Sequence, residues 1–456
     1  MIRDRRAILA LLTALNFLNY IDRAVVSAVL EPMSTELGMS SFQGGLLNSA
    51  FLIGYFLTSP LFGARADKST RKGLIALGVA IWSLATVGSG LATGFWSLLA
   101  ARIVVGVGEA SYAVLAPTII DDLTPPDRKG KALAVFFLAI PLGYAVGYII
   151  GGAISSYWAT VLSPIFIAHD HIAFAWPNLA AHISPVTIQP YFVAYRPAEL
   201  PAWRTAFLAT GGPGLVLALS CLAIVEPSRK LADAKAKLVD GLREVARLPL
   251  FRRAVFGYCA YTAAVGAFAF WAPNFLIKRF PASLDIKSAN FWFGLVLIAG
   301  GAVGTFVGGR WADRGLRRLP QPAADAPFDA PPHKLAVNVL LRVCAAGMVI
   351  AAPLTAVCFF MPSPVAFFAI AFVVEAGLFL STSPVAAACL RAVPVERRAS
   401  SMAVTIFAIH LFGDLWSPAV LGLLQDVLPI ALAMMALPIT FAWSAYIWWP
   451  RAREAA

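Results

Sequence analysis

The apolar residues of this chain fall into about twelve blocks, each long enough to cross a bilayer, and that leaves very few folds open. The blocks lie near 7–31, 43–64, 72–93, 96–121, 131–157, 203–225, 251–279, 287–311, 333–360, 363–390, 400–425 and 427–449. Bilayer hydrocarbon offers no water to backbone N–H and C=O groups, so only helices or closed barrels span it. Runs this long and continuous are helices. With 59% hydrophobic and 13% charged residues over 456 positions, an ordinary soluble domain is excluded. The expected fold is an all-α integral membrane protein with twelve transmembrane helices.

The formal charge of +12 could suggest nucleic acid, but its distribution argues otherwise. Lys and Arg cluster at Arg3, Arg5 and Arg6, in 65–72, 128–131, 229–253 and 310–318, at Lys334, in 391–398, and at Arg451 and Arg453. The alternate loops hold few, mainly Arg196, Arg204, Lys278, Arg279 and Lys287. This is the positive-inside pattern. It places both termini in the cytoplasm and requires an even number of crossings. No basic stretch lies on a plausible soluble domain, so no nucleic-acid partner is expected. The five cysteines all fall inside apolar blocks and form neither a disulfide framework nor a zinc spacing. No cleavable signal peptide is evident, and no Asn-x-Ser/Thr sequon occurs. These features point to a bacterial inner membrane.

Within the fourth block, Arg102 and Glu109 stand seven residues apart, about two turns, on nearly the same helix face. An ionised side chain at bilayer depth costs roughly 2.5 kcal/mol or more. Such residues face the bundle interior or a water-filled path; a structural ion pair tying helices together is the alternative. The first block carries Asp22 and Arg23. Adjacent residues point about 100° apart, so one of them is expected to reach the Arg102/Glu109 face, unless both snorkel to the interface.

After the second block stands Gly63-Ala-Arg65-Ala-Asp67-Lys68-Ser-Thr-Arg71-Lys72, and after the eighth Gly309-Arg310-Trp-Ala-Asp313-Arg314-Gly-Leu-Arg317-Arg318. The shared pattern, Gly-x-x-x-Asp-basic-x-x-basic-basic, recurs at matched places in two six-helix halves. That is an internal duplication of the parallel-repeat transporter kind. We therefore expect an N-terminal bundle (1–225), a cytoplasmic linker (226–250) and a C-terminal bundle (251–456), with an extracytoplasmic insertion at about 158–202.

The paired loops resemble the signature of the major facilitator superfamily, and the whole chain resembles its Spinster branch. The finer match lies in Asn19-Tyr20-Ile-Asp22-Arg23, in Gly106-Val-Gly108-Glu109-Ala-Ser111-Tyr112, and in His410-Leu-Phe-Gly413-Asp414-Leu-Trp-Ser417-Pro418. It covers nearly all the chain outside about 158–202. The resemblance implies two pseudo-symmetric six-helix bundles working by alternating access. It also implies a cytoplasmic gate drawn from Gly63, Asp67, Arg71, Lys72, Asp313, Arg314, Arg317 and Asp414. In that gate Asp67 would cap the eleventh helix near Ser400 and Asp313 the fifth, since a carboxylate is favoured at the positive end of a helix dipole.

On the fifth block, glycines at four-residue spacing mark a close packing surface, and Tyr144 and Tyr148 either line a cavity or pack. The 158–202 segment holds His169, Asp170, His171 and His182 without a convincing third or fourth ligand, so no metal is expected. The linker carries leucines at helical spacing and reads as an interfacial helix. In the second half, Tyr261, Phe268 and Trp271 suit an apolar cavity wall or packing. Arg342 and Glu375 lie in membrane blocks, and His410 and Asp414 stand i,i+4 on one face. His410 is a pH sensor or a hydrogen-bonded structural histidine.

No Walker loop is present, so ATP drive and a nucleotide cofactor are not expected. The leading reading is a proton-coupled secondary transporter. Burial favours the neutral form of a carboxyl and a nearby guanidinium the charged form, so a rearrangement that changes either effect moves a proton. Asp22 and Glu109 are the expected proton carriers. Arg102, Arg23 and Arg342, with Tyr112, His410 and Glu375, are the expected partners of substrate or charge. The resemblance implies lysophospholipids or sphingosine phosphate-like lipids as substrate, carried by a monomer. Multidrug efflux and sugar or organic-anion transport fit the same fold. A non-transporting receptor or scaffold would not need titratable residues at helix centres. An enzyme is not expected, because no nucleophile or metal-binding array accompanies the acids.

Overall fold

A computed structural model describes residues 2–66, 69–125, 129–157, 200–226, 244–320, 331–394 and 397–449. Among the described residues twelve helical spans are long and apolar enough to cross a membrane, at the twelve places the hydropathy indicates. The first half holds α1 (Arg5–Ala28), the short α2 (Leu30–Leu37), α3 (Ser41–Ala66), α4 (Arg71–Gly90), α5 (Phe95–Leu123), α6 (Lys129–Tyr157) and α7 (Ala202–Leu222). The second holds α8 (Pro249–Arg279), α9 (Ile286–Arg317), α10 (Pro331–Cys358), α11 (Pro364–Phe379) and α12 (Thr382–Arg391). After them come α13 (Arg398–Ile409), a π-turn (His410–Asp414), α14 (Ser417–Val427), α15 (Ile430–Ala433) and α16 (Ala436–Trp448).

Local chemistry sets several boundaries. Asp4 caps α1 by accepting the Ala7 N–H at 3.1 Å. Ser363 caps α11 by accepting from Ala366 at 3.3 Å, with Pro364 just inside, where its missing N–H costs nothing. The π-turn closes with Leu415 N–H donating to the His410 carbonyl at 3.1 Å. It ends just ahead of Pro418, which has no N–H to offer the Asp414 carbonyl. Spans ten and twelve are thus each built from two helical pieces and span eleven from two joined by the π-turn, a detail that continuous hydropathy conceals.

The chain divides into two compact units: Met1–Leu231 with Leu276–Gly294, and Ala232–Phe275 with Leu295–Ala456. In the first, α1 packs on α6, α5 lies between α3 and α4, and α7 packs on α4. Ile2 pairs with the strand-like end of α7, donating to Ala223 O at 2.7 Å and accepting from Val225 N at 3.0 Å. Residue 2 therefore lies level with the end of the sixth span, as an even number of crossings requires. Residues 276–294 join this unit: Asn290 donates to the Ala28 carbonyl at 3.0 Å, and Phe293 meets Tyr148 at 5.1 Å between ring centres. In the second unit α10 packs on α11, α12 and α16. There Arg253 donates to the Ile447 and Trp448 carbonyls and Trp448 to the Ala254 carbonyl, tying α8 to α16. The five cysteines are buried free thiols.

Candidate functional site

The site begins with why α5 can lie so deep. A Cβ at Gly106 would fall 2.0 Å from the Phe51 carbonyl oxygen on α3, and one at Gly108 2.5 Å from the Gly78 carbonyl oxygen on α4. Only hydrogen fits at either position, so both neighbours close directly onto the α5 backbone. Glu109, the next residue, is fully buried at 0% exposure, and Arg102 at 2%.

Arg23 crosses from α1 to meet Glu109: Nε and Nη2 each lie 2.8 Å from Oε2. Its guanidinium is wrapped by aromatic rings, with Tyr20, Phe51 and Tyr55 centred 4.7, 4.8 and 5.6 Å away. Asp22, one residue earlier, points elsewhere and accepts from the Thr86 hydroxyl of α4 at 3.4 Å. Arg102 lies over Phe51 at 5.3 Å and within electrostatic reach of both carboxylates, yet among the described residues its Nε and Nη1 have no hydrogen-bond partner. Among the described residues Asp22 Oδ1 and Glu109 Oε1 likewise lack a partner within hydrogen-bond distance. Two acids and two guanidiniums balance in charge but not in hydrogen bonds. Buried polar atoms without partners are costly, which sets these four side chains apart from an ordinary closed ion pair.

The other candidates are distributed as follows. Tyr112 is buried and donates to the Leu12 carbonyl, so its hydroxyl is committed to backbone. Tyr144 packs at a tilt against Tyr20 at 5.3 Å, next to Arg23, while Tyr148 is buried among rings. Tyr261 donates to the Leu378 carbonyl, Trp271 to the Pro418 carbonyl, and Phe268 packs on Phe359; all three are buried. Glu375 is buried beside Gly300, whose missing side chain makes room for it, whereas Arg342 is exposed. His410 Nδ1 lies 2.9 Å from Asp414 Oδ1. Asp414, expected with the cytoplasmic gate, instead sits midway along span eleven (Ser401–Val427), because the π-turn aims it at His410.

The two duplicated loops differ in their contacts. Arg71 is 1% exposed and holds Glu226 at 2.7 Å, Asp122 at 2.7 Å and Thr118 at 3.0 Å; Lys72 donates to the Leu222 and Ile224 carbonyls. The start of α4 is thereby tied to the ends of α5 and α7. Gly63 closes the last turns of α3, near Val114. Asp313, Arg314 and Arg317 at the end of α9 are exposed. Asp67, the Ser400 side chain, the segment 158–199 with its histidines, and 227–243 of the linker lie outside the described residues. The sequence reading missed the aromatic shell of Phe51 and Tyr55, although their i,i+4 spacing puts both on one face of α3. It counted Arg204 only as a loop cation, whereas Arg204 is buried at 1% and grips Glu36 at 2.7 Å and the Gly90 and Ala92 carbonyls at 3.0 and 2.6 Å.

Twelve spans, two units and a buried charge cluster on the first and fourth spans describe a membrane transporter rather than a catalyst. A model of the Major Facilitator Superfamily matches residues 12–418, and the chain is a member of that superfamily. Human protein spinster homolog 1 is 31% identical over 443 residues, covering 92% of this chain and 72% of that protein. The Arabidopsis thaliana protein named "Probable sphingolipid transporter spinster homolog 2" is 28% identical, over 96% of this chain and 86% of its own. The chain belongs to the Spinster family. A crystal structure of a bacterial homolog to the human lysosomal transporter Spinster, inward-facing and unoccupied, shares the fold with a TM-score of 0.79. Its identity is 22%, over 98% of this chain and 96% of that one.

Proposed function

We propose that this chain is a proton-coupled secondary transporter of amphipathic lipids with one tail and a charged head, such as lysophospholipids or sphingosine phosphate-like molecules. The observation that carries the reading is the half-satisfied cluster: Arg23 engages Glu109 while Arg102 and Asp22 hold unpartnered polar atoms. Protonating Glu109 removes the charge that holds Arg23 and leaves two guanidiniums, Arg23 and Arg102, for an anionic headgroup. Deprotonation restores the pair and expels the head. Asp22, facing Thr86, is the second proton carrier. The names of relatives support a lipid cargo, one being described as a sphingolipid transporter. Arg342, Glu375 and the His410–Asp414 pair are assigned supporting roles in charge balance. Arg71, Lys72, Asp67, Asp313, Arg314 and Arg317 are assigned to control of the cytoplasmic side. The charge asymmetry of the loops supports cytoplasmic termini, and we assign the chain as a monomer in a bacterial inner membrane.

The test is uptake of labelled lysophospholipid into proteoliposomes with and without a pH gradient. The gradient should accelerate uptake by the wild type, and Asp22→Asn and Glu109→Gln should each abolish that acceleration while leaving folded protein. Undiminished gradient-driven uptake in both variants would overturn the proton assignment; uptake of a sugar or a drug in place of the lipid would overturn the cargo.

A further inference from the structure

The duplicated loop is built differently in its two copies. In the first, α3 ends at Ala66 and Arg71 opens α4, where Asp122 and Glu226 hold it. In the second, α9 runs on without a break to Arg317, so the same stretch becomes a helical ridge. The uncharged run 288–309 spans about 33 Å at 1.5 Å per residue, matching a hydrocarbon core of ~30 Å. Arg310 is the first charge beyond it and stands at headgroup level. Phe306, Arg310, Arg314 and Arg317 recur at three- and four-residue spacing and share one exposed face. Arg310 lies over the Phe306 ring at 4.0 Å, with Phe306 59% exposed. Arg310 and the exposed Trp311 stand where the first copy has Ala64 and Arg65. None of Arg310, Arg314, Arg317 and Arg318 makes a side-chain hydrogen bond or ion pair with a described residue, and Asp313 is the one acid among them. The opposite face of α9 has a rigid backing. A Cβ at Gly304 would fall 2.2 Å from the Ala376 carbonyl oxygen, and one at Gly308 2.1 Å from that of Leu380. The helix dipole accounts for cations in the last turn, but Arg310 stands seven residues earlier, about 10 Å, and turns back over Phe306 toward the hydrocarbon.

We propose that this end of α9 docks an anionic phospholipid of the surrounding leaflet, with its phosphate between Arg310 and Arg314 and an acyl chain along Phe306 and Val303. The lipid is a resident of the bilayer and not cargo, so the proposal stands apart from the transport reading. Residues four apart on a helix bring their Cβ atoms within about 6 Å, so both guanidiniums reach one phosphate. An arginine near an anionic bilayer surface contributes about fivefold in affinity. Four guanidiniums against one carboxylate favour a head with net negative charge. Phosphatidylcholine offers the same phosphate but neutralises it with its own ammonium. A water-soluble phosphate lacks the chain that Phe306 and Val303, both exposed, would receive.

The test places the full-length protein in phosphatidylcholine nanodiscs doped with phosphatidylglycerol that bears a photoreactive diazirine in one acyl chain. Labelling should concentrate on 299–307, about twentyfold above that from a phosphatidylcholine probe with the same chains. Arg310→Gln and Arg314→Gln should each cut that excess about fivefold and together remove it. Arg252→Gln, which takes an exposed arginine from over Phe256 on α8, should leave the excess unchanged. All three positions are exposed, and thermal midpoints at the wild-type value check that the variants fold. Equal labelling by the two probes, labelling spread evenly over other spans, an excess that survives the double variant, or competition by soluble glycerol 3-phosphate would overturn the docking surface. None of these readouts uses transport, so each leaves the proposed function where it stands.

Discussion

Glu109→Gln removes the charge to which Arg23 is committed and little else. In the wild type, two guanidinium nitrogens reach Oε2 at 2.8 Å, with side-chain exposures of 14% for Arg23 and 0% for Glu109. Truncating one member of a buried pair costs about 3–5 kcal/mol, because the partner charge is left stranded. The first unit contains about 250 residues. At about 2.1 cal/mol/K per residue its unfolding entropy is roughly 0.5 kcal/mol/K, so the loss should appear as a drop of about 6–10 °C in its thermal midpoint. Adding Arg23→Met removes the stranded cation. Since an apolar replacement of a whole buried pair is commonly neutral or better, the double variant should regain at least half of that drop. Thermal unfolding of purified protein, followed by tryptophan fluorescence, reads the stability; proteoliposome uptake with a pH gradient reads the function. The double variant should recover stability and remain uncoupled. A double variant no more stable than Glu109→Gln would refute the pairing argument. A double variant with wild-type gradient-driven uptake would reduce the pair to a structural tie.

Arg71 tests the tie at the start of α4: Arg71→Ala should cost on the order of 3 kcal/mol and Arg71→Lys about half of that, because an ammonium cannot reach Glu226 and Asp122 in the same planar fork. Wild-type thermal stability in Arg71→Lys would count against it. Asp285 caps α9 outside the membrane, accepting the Ser288 N–H at 2.8 Å, and its hydrogen bonds to Ser288 hold its carboxyl below the usual range. Asp285→Ala should cost about 1 kcal/mol at pH 7. A lowered carboxyl stabilises the fold above its unfolded value and loses that contribution as pH falls through the folded value, so the gap to wild type should narrow toward pH 3. Melting curves at the two pH values check this, and a gap that widens on acidification would refute it.

The spans were legible because lipid removes the alternatives: a run of apolar residues at bilayer depth has to be a helix. The breaks at Leu380–Ser381 and His410–Asp414 were not, since hydropathy averages across a defect that changes hydrogen bonding and not polarity. The duplicated loops were legible as a repeat, but their contacts were not. Arg71 is buried because the ends of α5 and α7 bring Asp122 and Glu226 to it, and such partners lie in other segments, not in the repeated motif.

The charge cluster shows the same limit most sharply. Helical periodicity puts Arg102 and Glu109 on one face, which invites pairing them. Yet seven residues of helix separate their Cα atoms by about 10.5 Å, a rise that leaves each to be met by whatever a neighbouring helix presents. What meets Glu109 is Arg23, 86 residues away in the chain. That choice decides the chemistry. Had Arg102 held Glu109, the cation on α1 would be the free one, and a proton arriving at α5 would act within a single helix. With Arg23 engaged instead, the proposed protonation of Glu109 would uncouple α1 from α5. In that proposal one proton changes a contact between helices, which is what a coupled carrier has to achieve.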